Sequence, residues 1–178
     1  MKFGYGLAVA IMAGTAIAAT PAEKLSEPAV TGFIVGHQGA NDRVAIRELV
    51  PNGETVENWN RMITDQRIFG GAEFVPPAKL AGLIADGIRS GCPGGTTGKI
   101  AQVEIDGRPG VRMRADCPKV PSTGKPETFL LLALAGSEDV FSRQVAFRHV
   151  PNGNEIKWAE KILSSTRLCR AGRKIKGC

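Results

Sequence analysis

Residues 129–134 read Phe-Leu-Leu-Leu-Ala-Leu, without a charge or a polar side chain. Successive strand positions point to opposite faces of a sheet, so a run like this is apolar on both sides and must be covered on both. It predicts the central strand of a layered structure. Residues 141–150 answer it after a turn at Gly136-Ser-Glu-Asp139. There Phe141, Val145 and Phe147 share one face, and Ser142, Gln144, Ala146 and Arg148 share the other. The same period of two marks residues 43–50, where Val44, Ile46 and Val50 oppose Arg43, Ala45 and Arg47. Residues 30–38 read as the strand before it, and Gly39-Ala-Asn-Asp42 supplies the turn of a hairpin. The stretch 56–69 is ambiguous. Trp59, Met62 and Ile63 fit helical spacing, whereas Met62, Thr64, Gln66 and Ile68 fit a strand face. The β-branched Ile63, Thr64 and Ile68 decide for a strand from about Asn60 to Phe69.

Two segments carry the helical period instead. Leu80, Leu83, Ile84 and Ile88 recur at three and four, and Pro77 sits where a missing N–H costs nothing. A helix is predicted over residues 77–91, ending at Gly91. A second helix starts at Asn152, because Asn152 and Glu155 have capping-box spacing and Ile156, Ala159, Ile162 and Leu163 form a buried stripe beside Trp158. Between the helices, residues 99–106 and 111–116 read as a hairpin around Asp106-Gly-Arg-Pro-Gly110. That reading puts Ala101, Val103, Ile105, Val111, Met113 and Ala115 on one face and Gln102, Glu104, Arg112 and Arg114 on the other. The expected fold is therefore α+β: an antiparallel sheet of about six to seven strands with two main helices, one mid-chain and one C-terminal, in a layered sandwich. Val50-Pro-Asn-Gly53 recurs as Val150-Pro-Asn-Gly153, which reads as repeated turn chemistry and not as duplication.

The start of the chain follows another pattern. Met1-Lys2 is positive, Leu7 to Met12 is apolar, and Ala16-Ile17-Ala18 is a small-x-small cleavage site. Residues 1–18 read as a secretory signal peptide, too short in its apolar part to span a bilayer. Residues 19–29 are a polar, Pro-containing lead-in expected to be loose, and residues 30–178 form one domain. Removing the leader takes the net charge from +6 to +5, since Lys2 is its sole charge. No other stretch predicts a membrane segment. The basic excess gathers at the end, in Arg167, Arg170, Arg173, Lys174 and Lys176. With 6% aromatic residues and no recognisable motif, nucleic-acid binding is not implied.

Export changes how the cysteines are read. Cys92, Cys117, Cys169 and Cys178 all follow the leader. An even count in an oxidising compartment predicts two disulfides. Of three possible connectivities, the sequence-local Cys92–Cys117 and Cys169–Cys178 are expected. Loop closure makes them worth about 3.5 and about 2.7 kcal/mol if unstrained. Zinc needs closely spaced ligand pairs, which are absent, and His37 and His149 are too scattered to replace them. No metal and no cofactor is implied.

The run Glu54-Thr-x-x-Asn58-Trp59-x-x-Met62-x-Thr64 resembles a group of uncharacterised exported bacterial proteins. Three later features belong to the same likeness: Gly91-Cys92-Pro93, Asp116-Cys117-Pro118 and the run from Gly124-Lys125-Pro126 through Glu127-Thr128-Phe129. The likeness covers roughly residues 30–178 and carries no settled activity. The order of elements is also similar to the PsbP-like α+β sandwich, an analogy of fold alone.

Candidate chemistry is sparse. There is no G-x-S-x-G, and the cysteines are expected to be oxidised. Glu54 and Glu57 are the paired carboxylates available for acid–base work. Gly94-Gly95-Thr96-Thr97-Gly98 lacks a P-loop Lys and reads as a loop. Trp59 is either packing or a partner anchor. The expected binding surface is the polar sheet face of Gln102, Glu104, Arg112, Arg114, Gln144 and Arg148. The leading reading is an exported, non-enzymatic periplasmic module that binds a cell-envelope protein or polar ligand. The alternatives are an exported hydrolase working through Glu54 or Glu57, and a toxin-neutralising immunity protein.

Overall fold

A computed structural model describes residues 23–172, 175, 177 and 178. The expected leader lies outside the described residues, as do residues 19–22 and Arg173, Lys174 and Lys176 of the basic end. In chain order the strands are β1 (Glu23–Leu25), β2 (Phe33–Ala40), β3 (Val44–Pro51) and β4 (Arg61–Ile68). Helices α1 (Gly71–Phe74) and α2 (Pro77–Gly91) follow, then β5 (Thr96–Thr97), β6 (Ala101–Ile105), β7 (Arg108–Cys117), β8 (Glu127–Ala135) and β9 (Val140–Phe147). Helix α3 (Gly153–Ser165) and β10 (Leu168–Arg170) close the chain. The protein is α+β. Eight strands form one antiparallel sheet in the order β2-β3-β4-β9-β8-β7, with β5 and β6 both pairing β7 at the far edge. The count is slightly above the expected six to seven. Strands β1 and β10 pair separately.

Strand β8 is the centre that its composition predicts. Every residue from Thr128 to Leu134 is buried. Leu130, Leu132 and Leu134 face a core shared with Ala159, Ile162 and Leu163 of α3. Phe129, Leu131 and Ala133 face a second core shared with Leu80, Ala81 and Ala85 of α2. Each such leucine contributes about 1.5–3 kcal/mol relative to exposure. Helix α2 has the expected bounds, with Pro77 in its first turn. Its buried stripe is shifted from the expected Leu80, Leu83, Ile84 and Ile88: Pro77, Leu80, Ala81 and Ala85 are buried, Ile84 and Ile88 pack half-buried against the same core, and Leu83 is 55% exposed. Small alanines fill the helix–sheet contact, and at about 100° per residue Leu83 falls more than a third of a turn from the centre of that contact.

Helix α3 begins as expected. The Asn152 side chain accepts from the backbone N–H of Asn154 and Glu155, at 2.9 and 3.1 Å, and Glu155 accepts from the Asn152 N–H at 3.0 Å. That bond holds the Glu155 carboxyl below its usual range, against a small opposing effect of burial and with help from His149. Both disulfides join the expected cysteines, with Cα separations of 5.8 Å for Cys92–Cys117 and 5.4 Å for Cys169–Cys178. The first pins the end of α2 to the last residue of β7. Among the described residues, no helix is long and apolar enough to cross a membrane.

The lead-in, expected to be loose over 19–29, is bound from Glu23 onward. Strand β1 pairs β10 with Glu23 opposite Arg170. Glu23 is 6% exposed and accepts from Arg108 at 3.0 Å, Arg170 at 2.6 Å and the Ser137 N–H at 2.6 Å. Burial pushes its carboxyl up, but the Ser137 bond and the Arg170 and Arg108 guanidinium groups outweigh it and the net shift is downward. Nearby, Arg143 of β9 is 1% exposed. It donates to both oxygens of Asp65 at 2.6 and 2.8 Å, to the Ser26 carbonyl at 2.7 Å and to Thr166 Oγ1 at 3.1 Å. One buried guanidinium thus links the sheet, the lead-in and the end of α3.

Candidate functional site: a polar cleft beside helix α2

Helix α2 packs over β7 and β8. The same side of β3, β4 and β9 therefore stays free of helix. Alternation fixes what it shows: Ile46 and Glu48 from β3, Met62, Thr64 and Gln66 from β4, Gln144 and Ala146 from β9. The loop after β3 closes one end with Val56 and Trp59, and Arg148 and Glu127 complete a cleft of about 350 Å³. That size lies at the low end of small-molecule sites.

The loop is braced from within. Glu54 accepts from the Asn60 N–H at 2.7 Å and from Asn60 Nδ2 at 2.9 Å, so its carboxylate is committed to holding the turn. Trp59 is 5% exposed and packs in the core shared with α2. Its ring carries the Arg148 guanidinium 4.0 Å from its centroid, while Arg148 Nη1 donates to the Glu57 carbonyl at 2.7 Å. Stacking of this kind contributes about 0.5–2 kcal/mol. Trp59 therefore acts here by positioning Arg148, not by reaching out as an anchor. Glu57 is fully exposed, and its carboxyl is held low mainly by the Thr55 hydroxyl.

Glu127 is the residue that the sequence reading missed. Burial pushes its carboxyl above the usual range, opposed by the Arg148 charge. Its carboxylate has no hydrogen-bond partner among the described residues, and the Glu48 and Gln144 side chains have none either. The buried Arg148 Nε is likewise without an acceptor. Glu127 also lines an adjoining, smaller pocket of about 220 Å³, whose walls include Ile88, Val120, Phe129 and the Cys92–Cys117 disulfide. A hindered carboxyl thus stands where a polar cleft meets an apolar recess. The turn between β8 and β9 could have revealed it. With Ala135 opposite Val140 and Thr128 opposite Phe147, counting one step further sets Glu127 against Arg148.

The structure divides the expected binding face. Trp59, Gln144 and Arg148 come together in the cleft. Arg112 and Arg114 lie on the opposite face, under α3. Gln102 and Glu104 are exposed on β6 and belong to neither group. The β7–β8–β9 ladder sets the main division: Arg112 opposes Leu132, which opposes Arg143, whereas Gln144 opposes Leu131 on the other face. The place of Gln102 and Glu104 is set by the β6–β7 hairpin. Its turn has two residues, Asp106 and Gly107, both with positive φ (53° and 75°), so Ile105 pairs Arg108 and Ala101 pairs Arg112. A longer loop through Gly110 would have aligned Val103 and Ile105 with Val111. The observed register sets them with Gly110 and Arg108 instead, and a one-residue shift exchanges faces. Among the described residues, no three His, Cys, Asp or Glu side chains gather as metal ligands.

The site thus belongs to an α+β sheet domain with a half-open face. No family model and no curated protein matches the chain. A solved structure of the protein of unknown function PA94 from Pseudomonas aeruginosa is similar over 69% of this chain and 78% of its own, with a TM-score of 0.46 and 11% identity. Similarity at that level says nothing about activity.

Proposed function

We propose that this chain is an exported, non-enzymatic α+β module that takes a polar partner of the cell envelope into the cleft beside α2. The carrying observation is the set of unmet groups there: the Glu127 and Glu48 carboxylates, the Gln144 amide and the buried Arg148 Nε. Of these the Arg148 Nε is the buried atom, and buried polar groups in folded proteins are normally hydrogen-bonded; the other three open onto the cleft. Here acceptors and one fixed donor converge on the same space, which suits a partner bearing hydroxyl, amide or ammonium groups. The apolar recess beyond Glu127 suits a short apolar portion of that partner. Two disulfides support an oxidising compartment, and the leader-like start supports export.

The test is affinity recovery from periplasmic extract, comparing the native protein with Glu127→Gln/Gln144→Ala. The native protein should retain a partner that the double variant loses, with the far-ultraviolet circular dichroism unchanged. Equal recovery by both refutes this site.

A further inference from the structure

The other face of the sheet has a groove of its own. Between α3 and the β7 edge lies a space of about 520 Å³. Five cations line it: Lys99, Arg112 and Arg114 from the sheet side, Lys157 and Lys161 from the helix. Two carboxylates answer them. One is Glu160, and the other is Asp116, which holds Arg114 through bonds of 2.6 to 3.1 Å. The local balance is +3. Lys99, Arg112, Lys157 and Lys161 have no ion-pair partner among the described residues.

Two details make this more than a solvated charge run. Arg112 is half-buried, and its Nε is buried without an acceptor. Such an orphaned donor destabilises a folded protein, because its lost hydration is not replaced. Lys157 and Lys161 stand four residues apart on one helix face, where like charges repel and destabilise the helix. Both costs disappear when an anion sits between helix and sheet. A lone carboxylate would leave most of the +3 balance standing, whereas a phosphate group brings up to two charges and several acceptor oxygens to the planar Arg112 fork. Leu130 and Leu163 give the groove an apolar floor for the group that carries the phosphate.

We propose that the groove between α3 and β7 binds the phosphate of an organic phosphate, free or presented as an anionic lipid headgroup, with Arg112 as the fork and Lys157 and Lys161 as flanking cations. The site is separate from the α2-side cleft and does not depend on it.

Calorimetric titration with inorganic pyrophosphate at low salt tests the free form, and flotation with phosphatidylglycerol against phosphatidylcholine vesicles tests the lipid form. Arg112→Gln should weaken binding about tenfold, the loss of one hydrogen bond to a charged group. Lys157→Gln/Lys161→Gln should weaken it at least as much; both lysines are exposed on the helix, so this variant keeps the fold. Glu127→Gln should leave it unchanged. Pyrophosphate binding with these losses assigns a free phosphate, and vesicle binding alone with the same losses assigns a headgroup. No binding to either probe, or binding that survives both sets of substitutions, overturns the proposal.

Discussion

Replacing Arg143 by Met should be among the most damaging single changes in this protein. The guanidinium is 1% exposed and its bidentate partner Asp65 is 13% exposed, so the pair sits out of water. Removing the cation leaves Asp65 with Arg47, which reaches it at 3.4 Å and is itself engaged with Glu27 at 2.8 Å. It also strips a donor from the Ser26 carbonyl and from Thr166. Breaking one partner of a buried ion pair costs about 3–5 kcal/mol. Total stabilities run to about 5–15 kcal/mol, so the loss is a large share of the whole. For a domain of this size it should lower Tm by roughly 6–20 °C. Urea unfolding followed by circular dichroism, with disulfides intact, gives the free-energy loss, and a thermal scan gives the Tm shift. Asp65→Leu/Arg143→Met removes both charges and should recover at least half of the loss, since apolar pairs often replace buried ion pairs at little cost. A single-variant cost below about 1 kcal/mol, or a double variant as unstable as the two single losses summed, would refute the account.

Glu23 should make the fold acid-sensitive. Its folded pKa is depressed, so its contribution is present above the unfolded value near 4.3 and is lost as pH falls through the folded value. Glu23→Gln should therefore flatten the stability-versus-pH curve below about pH 4.3, as read from urea midpoints. Glu127 should act in the opposite sense: its folded pKa is raised, so the ionised form costs stability at neutral pH. Glu127→Gln should raise the urea midpoint at pH 7, and the gain should vanish below about pH 4, where the carboxyl is protonated in both states. Removing the helix-to-sheet disulfide with Cys92→Ser/Cys117→Ser should cost about 3.5 kcal/mol, seen as a lower thermal midpoint under oxidising conditions.

Some of this architecture could be read directly from the residues, where the determining pattern is local. The three-and-four spacing from Leu80 to Ile88, the Asn152–Glu155 cap and the two-sided apolar run of β8 each dictate an element without reference to the rest. Neighbouring cysteines likewise found each other. What stayed hidden depends on partners far away in sequence. Strands β1 and β10 have three residues each, and only their mutual pairing defines them as strands. Arg143 interrupts the apolar face of Phe141, Val145 and Phe147, which signals a buried ion pair, but its partner lies 78 residues earlier. The binding face is split because the β7–β8–β9 registers put Arg112 and Arg114 on the face opposite Gln144, and a two-residue turn sets Gln102 and Glu104 apart from both. Glu127 emerged once the β8–β9 pairing placed it beside Arg148.

The union of β1 with β10 has a kinetic consequence. Glu23 meets Arg170 across 147 residues, so β1 has no mate until β10 has emerged. Contacts this distant are slow to form, because loop closure must come before any reward. The eight-stranded sheet can assemble first, leaving the leading segment dangling until Leu168–Arg170 arrives to clasp it, with Cys169 already placed to seal the closure to Cys178. Closure of β1 is thus timed by β10, and a chain truncated before Leu168 should keep the segment around Glu23 open to protease.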